Sequence, residues 1–442
     1  MNKFIILILL IWSVTNAFSY SVYNSFLGSE AAIHDARSAS LGGSGVAGGF
    51  TLLDSQLNPA NTYFIPKRFT LEKPYYYGGQ LNYALIKNTE NRAIPLWNFF
   101  DSYIGENTYA HNENFYDEIS FSLFLSYLYH QNQFSLTFTY RPVINFSANY
   151  QEQIRNDEDS NEDNFPPIIA KNSLELEGKL NASIINLNWG RPISQNITLS
   201  LGAGVAIYRG KYEYHRMINW TDVARDLSTA ELFNLNEQEK RTIHGQGFHF
   251  GATSQLSERL RLGISYFPKT TLDFKNHQQS LSPYQENQNH YLLPARLRTG
   301  LVFQPRNPFK TNFQVDLEKN YYHDLSPFFE DSYAIYIGME HYIGQSVPFR
   351  LGFSHRSAMQ DKSLSLPVIS TGTGFKITNL FYLDLAAEYG QREYYNPDLF
   401  PDDFYDQPGL WNSIKPTARD EGNPDKVTES FFKVFLSVSY SI

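Results

Sequence analysis

Histidine, serine and aspartate are the residues of this chain that could carry out acid–base or nucleophilic chemistry. A serine hydrolase needs a nucleophile, a base and an orienting acid within reach of one another, and no serine here lies in a Gly-x-Ser-x-Gly elbow. The histidines are scattered along the chain, at His34, His215, His244, His249, His290, His341 and His355 among others. Cysteine is absent, which excludes a thiolate nucleophile, a disulfide framework and a cysteine-based metal site. The sequence therefore predicts no catalytic residue, no metal and no cofactor.

A glycine-rich stretch near the N-terminus could bind a phosphate. Gly43-x-Gly45-x-x-Gly48 matches the dinucleotide fingerprint, but no apolar strand precedes it and no helix follows it, as that fingerprint requires. Small residues such as Gly42, Gly43 and Gly45 instead suit a segment that must thread through a confined space, where larger side chains would clash with a surrounding wall. Nucleotide binding is not predicted.

Three arginines are candidates for binding a carboxylate. Arg296 and Arg298 alternate with apolar or uncharged neighbours such as Leu297 and Thr299, and Arg261 alternates with leucine and isoleucine in the same way. Because successive side chains of a strand point to opposite faces, these guanidinium groups are expected to share the polar face of their strands. Ordinary ion pairs within that face are the alternative interpretation.

An unusually apolar stretch within residues 88–118 could bind a hydrophobic molecule. Its apolar residues are Ile94, Leu96, Trp97, Phe99, Phe100, Tyr103, Ile104 and Tyr109. The stretch is otherwise polar, which predicts a loop. We interpret Trp97, Phe99 and Phe100 as contacts for a ligand at the mouth of the fold, and packing of the loop against its neighbours is the alternative.

Alternation with period two dominates the chain after about residue 67. The segments 135–140 and 313–318 each alternate apolar and polar residues, and the C-terminal segment places Phe432, Val434, Leu436, Val438 and Tyr440 on one face. This period is that of β-strands with one apolar and one polar side. The sequence predicts an all-β, antiparallel fold.

Composition separates a membrane barrel from a soluble sandwich, which would alternate too. Aromatic residues make up 16% of the chain, with 34 Phe and 31 Tyr, yet its mean hydropathy is −0.39. Strands predicted within 171–189 and 195–217 are long enough to cross a membrane and continue beyond it. Tyrosines such as Tyr208, Tyr212 and Tyr214 lie near strand ends, where interfacial girdles occur. A transmembrane β-barrel is therefore favoured.

The connections between strands divide into two kinds. Short turns are predicted at 191–194, 257–258, 306–308 and 344–345, and long polar stretches at 88–118, 151–170, 218–240, 276–289 and 394–428. Tight turns on one rim and long loops on the other are typical of outer-membrane barrels. About fourteen strands fit the 376 residues (442 − 66) that follow residue 66.

One long stretch has helical character. Thr221 and Asp222 can begin a helix, and Val223, Leu227 and Leu232 are spaced to form an apolar stripe. Two interpretations remain open for this segment, a lid over the mouth of the barrel and a surface helix without a role.

The first residues predict export. Residues 1–17 read as a signal peptide, with Lys3 in the positive region, an apolar run over 4–14 and a small-residue cleavage site at Thr15-Asn16-Ala17. The run falls short of the roughly 20 apolar residues that a membrane helix needs. Only a closed barrel could then satisfy the backbone of a membrane-embedded protein. The net charge of −9 offers nothing to attract a nucleic acid, and none is expected as a partner.

Taken in order, several motifs resemble the FadL/toluene-transport family of outer-membrane proteins. They are Ala36-Arg37, Gly42-Gly43 and Asn58-Pro59-Ala60 near the start, then Phe248-x-Phe250-Gly251, 260–266, 293–301 and 349–353. The resemblance covers most of the mature chain. It implies a fourteen-stranded barrel in the outer membrane of a Gram-negative-type bacterium, with a lumenal hatch at 18–66 and a barrel domain at 67–442.

The same resemblance implies the transport of long-chain fatty acids or other small hydrophobic compounds, captured at the outer mouth and released sideways through the barrel wall. The hatch and gate would then be formed by Asn58, Pro59 and Ala60 together with Gly42, Gly43 and Gly45. Proline fixes φ and asparagine can bond locally to the backbone, so the triplet predicts a rigid turn. Arg261, Arg296 and Arg298 are our own candidates for binding a carboxylate, since they match no ligand motif of the family.

A secretion-system barrel that holds a protein partner is the alternative function, because that class shares the same N-terminal motifs. Outer-membrane lipid and a hydrophobic small molecule are the expected partners. The barrel is expected to act as a monomer, and a protein partner is left open.

Overall fold

The computed structural model describes residues 28–31, 35–48, 50–65, 75–97, 103–155, 168–228, 231–279, 290–327, 329–344, 347–359, 364–378, 380–396 and 425–441. The predicted signal peptide at 1–17 lies outside the described residues, and so do Phe99 and Phe100. Of the predicted loops, 156–167, 280–289 and 397–424 also lie outside.

Fourteen strands build the wall of the protein. They are β1 (Tyr75–Trp97), β2 (Tyr103–Tyr129), β3 (Asn132–Asn145 continued by Ala148–Arg155), β4 (Ile168–Pro192), β5 (Thr198–Trp220), β6 (Leu235–Gln255), β7 (Leu260–Phe267 continued by Thr270–Gln279), β8 (His290–Leu293 continued by Ala295–Phe303), β9 (Asn312–Tyr321), β10 (Ser332–Ile343), β11 (Val347–Ser357), β12 (Ser365–Lys376), β13 (Phe381–Asn396) and β14 (Asp425–Ser441). The predicted strand number and the all-β fold class are confirmed.

The sheet closes on itself, since the last strand pairs with the first. β14 runs antiparallel to β1 over sixteen residue pairs, from Lys426↔Ala93 to Ser441↔Gly78. Consecutive strands pair in the same antiparallel sense around the ring. Closure pairs the first and last strands, so the backbone of neither is left as an open sheet edge, which a hydrocarbon environment would not tolerate.

The two faces of each strand differ as the alternation predicts. On β9, Phe313 and Leu317 are exposed on the outer face, whereas Gln314 and Asp316 are buried on the inner face. On β5 the outer face carries Leu201 and Val205. An apolar exterior around a polar interior is the arrangement of a membrane barrel, and it reverses that of a soluble protein.

The stretch 88–118 is a β-hairpin rather than a loop over most of its length. Its residues pair between β1 and β2, from Asn88↔Asn114 up to Trp97↔Tyr103. The loop prediction is wrong here because these strands extend beyond the apolar belt, where both faces of a strand can be polar. Polarity alone does not separate such a strand from a loop.

Tyr208, Tyr212 and Tyr214 do not form an interfacial girdle. All three lie on the inner face of β5, where Tyr212 and Tyr214 are buried in a large apolar cluster. The girdle prediction is wrong for them because aromatic content does not show which face of a strand meets the lipid.

Helices are short and few in the described part of the chain. They are α1 (Ala36–Ser40), α2 (Asp54–Leu57), the 3-10 helix Pro59–Tyr63 and α3 (Asp222–Leu227). Thr221 caps α3 through its side chain, as predicted. The predicted apolar stripe is wrong at Val223, which is exposed, whereas Leu232 is buried. None of the described helices combines the length and the apolar character that a membrane crossing requires.

Candidate functional site

The N-terminal segment, defined as the described residues between 28 and 65, contacts the inner face of the wall around most of the ring. Hydrogen bonds join it to Gln80 of β1, Asn186 and Asn188 of β4, Ser200 of β5, Thr253 of β6, Arg261 of β7, Arg298 of β8, Asp316 of β9, Glu340 of β10, Ser370 of β12 and Ser437 of β14. These partners surround the segment on nearly every side. The polar inner face of the barrel is therefore used largely to bind this segment.

Helix α1 is held by a buried chain of charges. The Arg37 guanidinium donates two hydrogen bonds to Glu340, at 3.0 and 2.6 Å, and Arg350 joins Glu340 to Asp384, at 2.7 Å to each. Burial alone would lower the pKa of Arg37, but the Glu340 carboxylate outweighs burial and raises it. Arg37 therefore stays charged, and its charge is neutralised by the wall.

The glycine-rich turn after α1 binds to β9 and β8. Asp316 accepts hydrogen bonds from the backbone N–H groups of Gly45 and Val46, at 2.8 and 3.0 Å. Arg298 donates to Asp316 and to the Gly43 carbonyl. Gly42 has φ of 70°, a conformation that favours glycine, and a Cβ on it would overlap the backbone of β11. The predicted role of these glycines in close approach to a wall agrees with this geometry.

Asn58-Pro59-Ala60 forms a compact turn against β6. The Asn58 side-chain amide donates to Val46 O and Thr253 Oγ1, at 2.8 and 2.9 Å, and its oxygen accepts from Ala60 N. Pro59 begins the 3-10 helix. Gly251 of the wall makes room for the turn, because a Cβ there would overlap Asn58. The turn is therefore rigid and tied to the wall, as its residue types predict.

Arg261 and Arg298 face the interior as predicted, but they contact the N-terminal segment. Arg261 donates to the carbonyls of Ala47 and Gly48 and lies over the rings of Phe50 and Phe64, at 5.5 and 3.9 Å from their centroids. These contacts favour anchoring of the segment. Ligand binding by either arginine stays a prediction.

Arg296 faces a different environment, a cavity that it shares with Arg141. The cavity measures ≈ 60 Å³ and is lined by both arginines together with Tyr208 and His249, enough room for a few waters or one carboxylate. Arg296 stacks over Phe267, with 4.4 Å between its Cζ and the ring centroid. Among the described residues, no carboxylate lies within ion-pair distance of either guanidinium group.

Three buried polar atoms at this cavity lack a hydrogen-bond partner among the described residues, Arg141 Nε, His249 Nε2 and Asn320 Oδ1. Arg141 donates to the Pro142 carbonyl, at 3.0 Å, and the His249 ring stacks on Phe267, with centroids 5.0 Å apart. Glu30 also lines the cavity, but its carboxylate binds Arg356 at 3.0 Å. A buried cation without a paired anion is costly for a protein to keep. This cavity can therefore stabilise an anionic ligand.

An apolar cluster extends from the cavity toward the rim of long connections. Ile144 and Val143 belong to both the cavity lining and the cluster, and Trp220 and Leu232 belong to its far end near α3. The other buried members are Phe146, Ala148, Tyr150, Ile169, Ala170, Leu174, Leu176, Leu180, Tyr212, Tyr214, Ile218, Ala224, Ile243 and Leu272. The cluster forms a continuous apolar part of the barrel interior that begins at the cavity.

The wall is interrupted beside the cavity. β2 and β3 pair from Tyr129↔Asn132 up to Phe121↔Tyr140 and no further, although β2 continues along β1 and β3 continues along β4. Pro142 lacks an N–H donor, and the pairing of β3 with β4 shifts between Pro142 and Ile144. The two strands separate beyond Tyr140 and leave a lateral gap in the hydrogen-bonded wall.

Short contacts narrow this gap on both sides. Ser29–Glu30 pairs with the free edge of β3 at Asn145 and Ile144, and Ala31 N donates to Val143 O at 2.8 Å. On the outside, Lys179 Nζ donates to the Asp117 carbonyl at 3.2 Å. The strand Ser29–Glu30 therefore lies between the cavity and the gap.

A second cavity, of ≈ 220 Å³, lies on the other side of Arg296 and is more polar. Glu30, Arg298, Glu318 and Arg356 line it with Arg296. Its charges are largely paired within the protein, as Arg298 and Arg356 are with Glu318. The interior thus has an apolar side and a polar side, and Arg296 lies at their border.

Several site residues were not predicted from the sequence. Arg141 and His249 line the first cavity, and Gly251 and Asp316 bind the N-terminal segment. Arg141-Pro142 does carry a signal, since a proline within an alternating segment indicates a break in the ladder. Of the predicted mouth residues, Trp97 ends β1 and its backbone pairs with Tyr103, while Phe99 and Phe100 lie outside the described residues.

The fold defines an outer-membrane type of β-barrel that carries an N-terminal segment against its inner face. The closed wall and apolar exterior confirm the predicted localisation in the outer membrane. No protein-family model matches the chain, and no curated protein matches it.

Solved structures do match it, at low sequence identity. A Pseudomonas aeruginosa FadL homologue shares 14% identity and a TM-score of 0.54, over 93% of this chain and 99% of that one. The P. putida toluene transporter TodX shares 13% identity and a TM-score of 0.52, over 92% and 98%. The monoaromatic hydrocarbon channel CymD shares 15% identity and a TM-score of 0.54, over 92% and 97%. The resemblance predicted from the sequence is confirmed at the level of the fold.

Proposed function

We propose that this protein is an outer-membrane channel for long-chain fatty acids or similar hydrophobic compounds that carry a carboxylate, with lateral release through the barrel wall. The cavity between Arg141 and Arg296 carries this proposal. It combines two guanidinium groups that have no carboxylate within ion-pair distance among the described residues with an apolar surface that continues from Ile144. An amphiphile with one negative end matches both features.

The route follows from the positions of these features. A fatty acid would move along the apolar cluster, because each buried CH₂ is worth about 0.8 kcal/mol relative to water. Its carboxylate would bind at Arg141 and Arg296, where a charged hydrogen bond contributes about 1.5–3 kcal/mol. Displacement of Ser29–Glu30 from β3 would then open the gap beside Tyr140. The acyl chain could enter the membrane without crossing water.

Residues 18–66 act in this proposal as a hatch, and residues 67–442 as the barrel. The contacts of Arg37, Gly45 and Asn58 with the wall support this division. Binding the hatch on nearly every side blocks a straight aqueous pore, which favours exit through the gap. The apolar mouth predicted at Trp97, Phe99 and Phe100 remains part of the proposal as the point of capture.

Calorimetric titration of the purified barrel tests the proposal. Oleate, its uncharged analogue oleyl alcohol and toluene are compared on the wild type and on the double variant Arg141→Met, Arg296→Met. We expect the double variant to bind oleate at least about 10-fold more weakly, from the loss of one or two charged hydrogen bonds. Binding of oleyl alcohol should stay within about twofold.

A matched control removes two exposed arginines at the rim of tight turns, Arg191→Met and Arg306→Met, and should leave all three affinities unchanged. Arg141→Met should not lower the free energy of unfolding, because the guanidinium group has no paired anion to lose. Equal oleate binding by wild type and double variant contradicts the carboxylate site. Lack of binding of all three ligands by folded wild type would favour the partner-binding alternative.

A further inference from the structure

The outer face of β5 changes from apolar to cationic between Ile207 and Arg209. Its outward side chains are apolar from Leu199 to Ile207 and cationic at Arg209 and Lys211, both of which are exposed. The nine residues from Leu199 to Ile207 span about 26 Å along the strand, or about 20 Å across the membrane at a tilt near 40°. That height matches the apolar belt of an outer-membrane barrel. Arg209 and Lys211 therefore lie just above the hydrocarbon region.

Cationic residues on neighbouring strands lie in the same row as Lys211. Lys179 of β4 pairs with Lys211, Lys211 pairs with Thr242 of β6, and Thr242 pairs with Lys275 of β7. We name Lys179, Arg209, Lys211 and Lys275 the basic patch. All four side chains are exposed on the outside of the barrel. Like charges directly opposite one another destabilise a sheet, so Lys179 and Lys211 are not placed together for the stability of the wall.

Two of the nearby carboxylates have other partners, and Glu177 lies in the row of Glu213. Glu213, in the next row outward, binds Lys240 at 2.9 Å, and Asp273, below Lys275, lies 3.3 Å from His290. In the part of the chain that the structure describes, no carboxylate is within ion-pair distance of any residue of the basic patch. Its positive charge is therefore available to an external anion.

The side of the membrane on which the basic patch lies indicates which anion it binds. Arg209 and Lys211 lie on the part of β5 that leads to α3 and the longer connections, which face the outside in barrels of this type. Below the row of Ile207, which also holds Ser183 and Gln246, one exposed apolar row is formed by Ile185, Val205 and Phe248. A ligand that satisfies both surfaces has phosphate groups above and acyl chains below. Free phosphate would gain nothing from the apolar row.

We infer that the basic patch is a binding site for a phosphorylated glycolipid of the outer leaflet. The phosphates bind Arg209, Lys211 and Lys275 by charge-assisted hydrogen bonds, and the acyl chains lie on the apolar row. The inference rests on the barrel and its orientation in the membrane and does not depend on the transport proposal. The glycolipid would also hold the barrel at a fixed depth beside the lateral gap.

Native mass spectrometry of the full-length barrel tests this site. The probes are bisphosphorylated hexa-acyl lipid A, its dephosphorylated form and inorganic phosphate, each added to delipidated protein in neutral detergent. We expect the phosphorylated lipid to bind at least tenfold more strongly than the dephosphorylated one, and millimolar phosphate to displace it poorly. The triple variant Arg209→Gln, Lys211→Gln, Lys275→Gln should bind it at least tenfold more weakly than wild type. Lys179 is left unchanged because it also spans the gap.

A matched triple variant removes the same number of charges from the opposite rim, Arg191→Gln, Arg306→Gln and Lys376→Gln, and should bind lipid A like the wild type. The charge-retaining variant Lys211→Arg should also bind normally. Equal loss in both triple variants would show that only overall charge matters and would overturn the site. Equal binding of both lipid forms, or full displacement by phosphate, would overturn it as well. Retention of the barrel signature in circular dichroism verifies that each variant is folded.

Discussion

The Arg37 guanidinium and the Glu340 carboxylate form a buried two-pronged ion pair, with N–O distances of 3.0 and 2.6 Å. The pair joins α1 to the C-terminal part of β10, across 303 residues of sequence. Arg350 binds the same carboxylate from the next strand. This contact fixes the N-terminal segment to the wall on the side opposite the lateral gap.

Arg37→Ala should loosen that attachment. Removal of one partner from a buried ion pair lowers the free energy of unfolding by about 3–5 kcal/mol. We expect the lower end of this range because Glu340 still forms an ion pair with Arg350. Chemical denaturation of the refolded barrel measures the loss of stability, and planar-bilayer recording should show a higher ion conductance as the segment moves. Lys87→Ala is the control, since the exposed Lys87–Glu113 pair should contribute only about 0–1 kcal/mol. Equal effects of the two substitutions would contradict the anchoring role of Arg37.

Asn58 and Pro59 test whether the turn against β6 acts as a gate. The double substitution Asn58→Ala, Pro59→Ala removes the amide contacts with Val46 and Thr253 and the fixed φ of proline. Because these contacts position the hatch rather than close the barrel, we expect folding and ligand capture to persist while transfer across the membrane slows. Uptake of a labelled fatty acid by cells, at equal expression, is the measurement. Uptake equal to wild type would reduce the triplet to a connector.

Asp54 should make the stability of the N-terminal segment depend on pH. Burial and the neighbouring Asp35 carboxylate raise the pKa of Asp54 to about 6, above the value near 4 of an unfolded chain. The folded state then binds the proton more tightly, so the free energy of unfolding falls as pH rises from about 4 to about 6. The loss is on the order of 1–3 kcal/mol and is complete above that window.

Asp54→Asn should remove this contribution. Thermal unfolding of wild type and variant between pH 4 and pH 8 gives the difference, which should favour the variant progressively as pH rises to about 6. Asp222→Asn, at the exposed start of α3, serves as the control. A constant difference between Asp54→Asn and wild type over this range would show that the carboxylate is not perturbed in the fold.

A reversible cross-link can test lateral release. Ala31 and Val143 are adjacent on antiparallel strands, with Ala31 N donating to Val143 O, a spacing within which a disulfide can form. The chain has no cysteine, so Ala31→Cys, Val143→Cys introduces a single defined pair. The oxidised protein should bind oleate but fail to transfer it, because Ser29–Glu30 cannot leave β3. Transfer should return on reduction, and unhindered transfer by the oxidised form would exclude this gap as the exit.

Local pattern was sufficient for much of the fold. Alternation at 313–318 predicts β9 with the correct face outward, and the candidate strands in the 376 residues after residue 66 predict about fourteen strands. The inward orientation of Arg261, Arg296 and Arg298 follows from the same period. These features depend on near neighbours in the chain, whose side-chain directions are set by strand geometry alone.

The site depended on pairing between distant residues, which alternation does not encode. The sequence alone determined a barrel, a distinct N-terminal segment and the residue types that could bind it. Only the tertiary structure decided that 88–97 and 103–118 lie in strands, that Tyr212 faces inward, and that Arg298 binds Gly43 while Arg296 lines a cavity with Arg141. The reason is physical: an arginine on the inner face has the same local pattern whether its partner is a backbone carbonyl, a carboxylate or a ligand, and closure of the sheet selects which of these lies opposite.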